Sequence, residues 1–455
     1  MDIRRVLRHY ARKTYQWLPL PERAERLIDI TCSHVESYVK EVRREVFKSG
    51  RAEVTPYRER LPNVSPLNFQ LRPDFCAPAR LNVVLPSLAM RHMSGGPNTV
   101  INLAYRMAAR GVPIRFIGMD APMDRDLGPL RRHITNLTGI RGSFDHIEFA
   151  CGYDRRKPLY IGENDVFMAT AWWTAQVVDR GMRLTRPRKF IYFIQDFEPA
   201  FYHWGTEYAL AQETYDFDFV AVINSQQLAD YLCENQVGRF RDPEFIPMCA
   251  VLQLAVDQKF FFCEERAMKD RKRRLLFYAR PSRARRNLYE LGIAALYRAN
   301  QEGLFPADEW EVMFIGEEVP SVDLGRGMIV RSSPWQELEA YADLMRHSDI
   351  VLSLMFSPHP SYPPLEAAAC GSIAVTSHFA SKTEENLRKI SENIVPVAMT
   401  TESIVKGLEK ANERISDHQA RIDHSQIKLS RSWEKSFEEV LPQAMEMWTE
   451  CLKSV

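Results

Sequence analysis

Two tandem doubly wound α/β domains behind an N-terminal helical extension are predicted for this chain of 455 residues. Three observations carry that expectation. From Arg80 onward, short apolar strands alternate with helical segments, as in a parallel sheet covered on both faces. The same series restarts at Arg274. Between them in informativeness stands Pro363-Pro364-Leu365-Glu366-Ala367-Ala368-Ala369-Cys370-Gly371, then Ser372-Ile373-Ala374-Val375-Thr376, which reads as a helix returning to the sheet after a glycine.

The first region, residues 1–79, reads as a helical extension and linker. Arg4, Arg5, Arg8, Arg12 and Lys13 alternate with Ile3, Leu7, Tyr10 and Trp17 at helical spacing, and Ile28, Val35, Val39, Val42 and Val46 continue an apolar stripe on a second helix. Those faces need a partner. The body of the protein is one, a second copy in a homodimer is another, and peripheral membrane contact through residues 1–47 is a third. A Pro-punctuated linker follows from Pro56 to Pro78.

The first domain, 80–255, contains strands at Leu81–Pro86, Ile114–Gly118, Val166–Thr170, Phe190–Ile194, Phe219–Ile223 and Glu244–Pro247, with helices at Asn98–Arg110 and Gln226–Gln236. The second, 256–430, has strands at Arg274–Ala279, Val312–Ile315, Met328–Arg331, Ile350–Leu354 and Ile373–Thr376. Its helices start at Asn287, span Trp335–His347, and follow Pro363. The joint lies near Val251–Phe262, and residues 431–455 form a helix long enough to pack back toward the first domain.

A net charge of +1 excludes a polyanion binder, so nucleic acid is not an expected partner. The eight cysteines show no CxxC spacing and no Cys/His cluster, which fits reduced thiols in a cytoplasm. Met1-Asp2-Ile3-Arg4-Arg5 opens no signal peptide, and no apolar run approaches the ~20 residues of a membrane span. The expected location is therefore cytoplasmic, peripheral at the inner face of the plasma membrane if the N-terminal helices bind lipid. No phosphate loop, HExxH, GxSxG or GxGxxG is present, and Asp216-Phe217-Asp218 reads as a strand entrance, so no cofactor and no metal are expected.

Ligands of open α/β sheets bind beyond the carboxyl ends of the strands. Four such segments carry polar chemistry. Ser94-Gly95-Gly96-Pro97-Asn98 lets backbone approach a phosphate ahead of a helix N-terminus, although a plain tight turn has the same sequence. Arg280-Pro281-Ser282-Arg283-Ala284-Arg285-Arg286 brings guanidinium groups to where a diphosphate would lie, or makes a solvated basic face. Ser357, His359, Ser361 and Tyr362 offer polar groups toward a sugar, with a structural turn as the alternative for His359. Gln195-Asp196-Phe197-Glu198 and the following His203 offer carboxylates and aromatics to an acceptor sugar, or cap the next segment. Glu366, read at the start of its helix beside the positive dipole end, is suited to grip a ribose diol while ionised.

With these segments in place, residues 80–430 resemble a GT-B glycosyltransferase of the retaining family 4 group, and within it the WsaF-type bacterial rhamnosyltransferases. The marks are Gly95-Gly96, Phe193-Ile194-Gln195-Asp196-Phe197-Glu198-Pro199, Asn224-Ser225-Gln226, Ala255-Val256-Asp257, Tyr278-Ala279-Arg280-Pro281, and Ser357-Pro358-His359-Pro360-Ser361-Tyr362-Pro363-Pro364-Leu365-Glu366. The resemblance implies transfer of rhamnose from dTDP-rhamnose to an oligosaccharide or lipid-linked glycan, with retention, in surface polysaccharide synthesis. The first domain would take the acceptor through Asp196, Glu198 and His203. The second would take the donor through Glu366 at the ribose, Arg280 with Arg285 or Arg286 at the diphosphate, and Ser357, His359, Ser361 and Tyr362 nearby, with Gly95 and Gly96 facing from the first. Arg280, Arg286 and Asp196 are the expected catalytic residues. One departure stands out: where the wider family has a Glu eight residues before Glu366, this chain has Pro358. The competing readings are a non-catalytic sugar-nucleotide-binding or scaffold protein of glycan assembly, and an epimerase on the same fold.

Overall fold

The computed structural model describes residues 64–73, 78–93, 95–142, 146–265, 271–281, 285–333 and 336–454, the side chain of Arg285 excepted. All lie in one compact unit, Pro62–Val455, whereas the expected helices of residues 1–47 lie outside the described residues.

The first sheet is built from β2 (Leu81–Leu85), β3 (Ile114–Gly118), β4 (Ile147–Cys151), β6 (Val166–Ala169), β7 (Phe190–Ile194), β8 (Phe219–Asn224) and β9 (Ala250–Leu252), all parallel, in the order β4-β3-β2-β6-β7-β8-β9. A small parallel pair, β1 (Phe69–Leu71) with β5 (Leu159–Ile161), stands apart. The second sheet runs β12 (Val322–Asp323), β13 (Ile329–Ser332), β11 (Trp310–Gly316), β10 (Arg273–Ala279), β14 (Ile350–Ser353), β15 (Ile373–Ser377) and β16 (Ile394–Val397), with only the β12 edge antiparallel.

Burial on both faces explains why these strands read as unbroken apolar runs. Side chains alternate between the faces: Leu81, Val83 and Leu85 pack on one side of the first sheet and Val84 on the other, while Leu275 and Phe277 oppose Leu276 in the second. The helices are α1 (Gly95–Ala108), α2 (Gly128–Thr138), α3 (Trp172–Met182), α4 (Thr206–Glu213), α5 (Gln226–Glu234), α6 (Tyr289–Gln301), α7 (Leu338–Arg346), α8 (Tyr362–Ala369), α9 (Glu384–Ile390), α10 (Thr401–Arg414), α11 (His418–His424) and α12 (Trp433–Lys453).

Several boundaries differ from the expectation. The segment Glu244–Pro247 contributes no strand; a 3-10 turn covers Ile246–Met248, and the edge strand follows at β9. Pro247 has no N–H for a ladder, so pairing begins only beyond it. The first helix starts at Gly95, not Asn98, because Pro97 is tolerated in an opening turn whose N–H groups have no intrahelical partner. After β10, a 3-10 turn at Arg285–Asn287 and a left-handed Leu288 delay α6 to Tyr289.

The chain crosses between the sheets twice, and the two crossings are tied together. Ala255 bridges Ser430, the Val256 N–H donates to the Ser430 carbonyl at 2.9 Å, and the Gln258 N–H donates to the Arg431 carbonyl at 3.0 Å. Helix α12 then packs on the first sheet. Phe437, Val440, Leu441, Ala444, Met447, Trp448 and Cys451 recur every three or four residues and join the core that contains Leu81, Val83 and Leu85. Phe437→Ala is therefore expected to cost about 3–5 kcal/mol in chemical denaturation. A loss below ~1 kcal/mol would show that α12 is not part of that core.

Candidate functional site

The loops at the carboxyl ends of both sheets meet at Asp196, which directly follows β7 and Gln195. Its carboxylate accepts the Phe197 N–H at 2.8 Å and, from the second domain, the Ser357 hydroxyl and the Arg286 guanidinium. Asp196 is buried and Arg286 is about one-quarter exposed, so this is a shielded ion pair across the cleft. Arg286 also lies over the Phe201 ring, 4.2 Å from its centroid, and its carbonyl accepts the Phe356 N–H at 2.7 Å. These contacts lock the guanidinium against the loop that holds Asp196.

From Ser357 a chain of short-range bonds runs to α8. The Ser357 hydroxyl accepts the His359 N–H at 3.0 Å, and His359 Nδ1 accepts the Ser361 N–H at 2.9 Å. An amide can only donate, so the ring proton of neutral His359 sits on Nε2, which is buried and lacks a protein partner. Burial pushes the His359 pKa down to about 4, so the ring is a neutral donor at physiological pH. Ser361 takes φ +71°, a strained conformation for a non-glycine residue, directly before α8. Pro363 and Pro364 fit there because the first turn of a helix needs no N–H.

Tyr362 closes the other side. Its hydroxyl shares a 3.4 Å hydrogen bond with Thr99 of α1, and its ring meets Trp433 at 5.9 Å. A Cβ on Gly95 would stand 3.3 Å from that ring, and a Cβ on Gly96 would fall on the Gln195 amide. Close approach of Tyr362 and Gln195 thus accounts for both glycines, which open α1 instead of preceding it. Further along the cleft, the Ser381 hydroxyl donates to the Gln227 carbonyl, and Phe379 meets Tyr231 at 6.4 Å.

Glu366 lies one turn inside α8, not at its start. The dipole that would keep it ionised acts mainly on the first turn, and burial dominates here, pushing the Glu366 pKa up to about 7. The Tyr341 hydroxyl, donating at 2.8 Å, opposes that rise. Arg280 follows β10 and is held by Tyr278 at 3.3 Å and Glu317 at 3.5 Å. The side chain of Arg285 lies outside the described residues.

Glu198 is buried, and its carboxylate accepts the Trp172 N–H at the start of α3; burial pushes its pKa up to about 8. It caps the preceding helix, not the following segment. His203 is exposed between the 3-10 turn Glu198–Phe201 and α4. Asp216 and Asp218 pair with Arg241 at 2.7 Å and Arg239 at 3.6 Å.

Lys382 was not singled out by its sequence. It is fully buried on the loop after β15, donates to the Met355 carbonyl at 3.0 Å, and has its pKa pushed down to about 7 by burial. Its signal is positional: the loop leaves the carboxyl end of β15, a strand paired on both sides, where ligands of such sheets bind.

Residues 80–226 match the N-terminal domain of WsaF, and residues 273–409 match its C-terminal domain. The chain is 32% identical over 363 residues to the O-antigen biosynthesis protein RfbC of Myxococcus xanthus, covering 78% of this chain and 26% of that protein, so it spans about a quarter of that relative's length. Among solved structures, sucrose-phosphate synthase from Thermosynechococcus elongatus superposes with a TM-score of 0.58 at 12% identity, over 83% of this chain and 100% of that one. Anabaena HepE in complex with UDP gives 0.54 at 13% identity, over 83% and 100%.

Titration of the Glu366 carboxyl by carbon-13 NMR is expected to show a midpoint near 7, moving higher in Tyr341→Phe because a bond to the ionised form is lost. The raised value also sets a sign for stability. The folded state holds a proton the unfolded chain releases, so this group's contribution falls as pH rises from the ordinary carboxylate range through about 7, and Glu366→Gln flattens that slope. A midpoint near 4.5 would contradict the burial assigned to Glu366. With both of its domains matched and the two-sheet architecture in place, the chain belongs to the WsaF family and has the GT-B fold.

Proposed function

We propose that this protein is a glycosyltransferase of the retaining family 4 type that moves a sugar, rhamnose from dTDP-rhamnose, onto a glycan in surface polysaccharide synthesis. The observation that carries the reading is the convergence of Arg286, Lys382, His359 and Ser357 around the cleft, with Glu366 on α8 in the same domain. Cationic and neutral donors suit a diphosphate, and a carboxylate with spare acceptor capacity suits a ribose diol. The name of RfbC, and the UDP bound by HepE, agree with a nucleotide-sugar enzyme of glycan assembly.

In this reading the second domain takes the donor and the first takes the acceptor, with Asp196 and His203 on the acceptor side. The bond from the sugar's anomeric carbon to the diphosphate breaks and leaves its electron pair on the phosphate oxygen. The acceptor oxygen forms the new bond from the same face and passes its proton to the departing phosphate. Arg286 and Arg280 stabilise the charge that grows on that group. Work at the cytoplasmic face follows from the donor's location, since nucleotide sugars are intracellular metabolites. Among the described residues, no helix is long and apolar enough to cross a membrane, and no group of three or more His, Cys, Asp or Glu residues could hold a metal ion.

The purified chain, incubated with a panel of nucleotide sugars and glycan acceptors, is expected to release dTDP from dTDP-rhamnose in an acceptor-dependent way and to give a product with the donor's own anomeric configuration. Binding without release on any donor would favour a non-catalytic protein, and a changed sugar without transfer would favour an epimerase. Glu366→Ala is expected to weaken nucleoside diphosphate binding by about 1.5–3 kcal/mol in calorimetry. Unchanged affinity would remove Glu366 from the site. Activity is expected to persist in EDTA, because the arginines supply the charge; loss with EDTA and rescue by Mg²⁺ or Mn²⁺ would overturn that.

A further inference from the structure

The cleft holds more buried donor capacity than its one shared carboxylate can use. Arg286 gives one Nη to Asp196, but its Nε is buried without a partner. His359 Nε2 is likewise buried and unpartnered. Lys382, fully buried, has the Met355 carbonyl as its hydrogen-bond acceptor and no ion pair among the described residues, while feeling the charges of Asp196 and Arg286. A buried ammonium without a carboxylate is costly, and unpaired buried donors are uncommon in folded proteins. Two unpartnered donors and a buried amine without an ion pair, gathered around one carboxylate, point to an anion with more oxygens than Asp196 has.

We infer that Lys382 belongs to the diphosphate subsite and that Asp196 and the donor's diphosphate compete for the same cations: the phosphate oxygens replace the Asp196 carboxylate on Arg286 and Ser357, with Lys382 as the charge behind them. This rests on the nucleotide-sugar reading above and deepens it. A guanidinium that gives one nitrogen to Asp196 can give a paired set to a diphosphate, so the exchange gains contacts for Arg286. The exchange also frees Asp196, at the end of β7, to accept a hydrogen bond from the acceptor's hydroxyl. Donor binding and acceptor binding are then coupled through one side chain.

Competition has a sign that a purely structural carboxylate lacks. Removing the charge of Asp196 removes the competitor, so the diphosphate should bind more tightly even as turnover falls. Removing Lys382 should do the opposite to affinity without harming the fold, because an apolar side chain of similar size relieves a buried charge.

The test is calorimetric titration of the full chain with dTDP, UDP and inorganic pyrophosphate, together with melting curves. Asp196→Asn is expected to bind the diphosphates that wild type binds about tenfold more tightly and to lose most of its turnover. Lys382→Met is expected to bind them at least about tenfold more weakly while melting at or above the wild-type temperature. Should Asp196→Asn not melt as a folded protein, Asp196→Ser, which keeps a small acceptor beside Phe197, takes its place with the same expectation. Equal or weaker diphosphate affinity on removing the Asp196 charge, or a Lys382→Met variant with lowered melting temperature and unchanged affinity, overturns the inference while wild-type binding preserves the nucleotide-sugar reading. Wild type that binds none of the three probes overturns both.

Discussion

The ion pair between Asp196 and Arg286 is the constraint on which the rest of the site depends, because each partner comes from a different domain and neither is fully in water. Leaving one alone in that setting would cost about 3–5 kcal/mol, so the two loops are held in register by more than packing. Ser357 adds a third donor to Asp196, and through it the order passes to His359, Ser361 and the first turn of α8. The strained φ at Ser361 is sustained by this chain of bonds and by the two prolines behind it. On the far side, Tyr362 reaches Thr99 and rests against Gly95, so the second domain touches the first at both ends of the same segment.

Around that pair the titratable groups share one physical circumstance. Desolvation is the leading cause of every shift among them: up for Glu366 and Glu198, down for His359 and Lys382. Burial disfavours charge of either sign, and it moves all four of these groups toward their neutral forms. In such a low-dielectric cleft, the proposed diphosphate would interact with the remaining cations far more strongly than in water. The tied crossings at Ala255 and Ser430, with α12 anchored on the first sheet, supply a stiff frame for those contacts.

Much of the fold was legible because a parallel sheet buried on both faces leaves long apolar runs, as Phe219-Val220-Ala221-Val222-Ile223 does. Elements with weaker burial were harder to see. The edge strand β4 buries only Ile147 fully, and the short pair β1 and β5 carries too few residues to announce itself. Pro247 marked the wrong side of β9, and the glycines at Gly95 and Gly96 suggested a loop where a helix already runs. In the candidate site, residue types and strand ends drew attention to Asp196, Arg286 and Glu366, and the structure brings the first two into contact. What linear order could not convey was which arginine crosses the cleft, since Arg280 turns to Tyr278 and Glu317 instead, or that Glu198 would serve a helix formed earlier in the chain. Lys382 went unseen because what sets it apart is burial against Met355, and no local pattern encodes that contact.

The account stands or falls on whether Arg286 is the cation that Asp196 withholds from the nucleotide. A double-mutant cycle on dTDP affinity, with Asp196→Asn, Arg286→Met and both together, measures that coupling directly. Shared use of Arg286 predicts that the gain from Asp196→Asn disappears once Arg286 is gone, a coupling of about 1.4 kcal/mol for a tenfold effect. Additive effects, with the Asp196→Asn gain intact in the absence of Arg286, would contradict it.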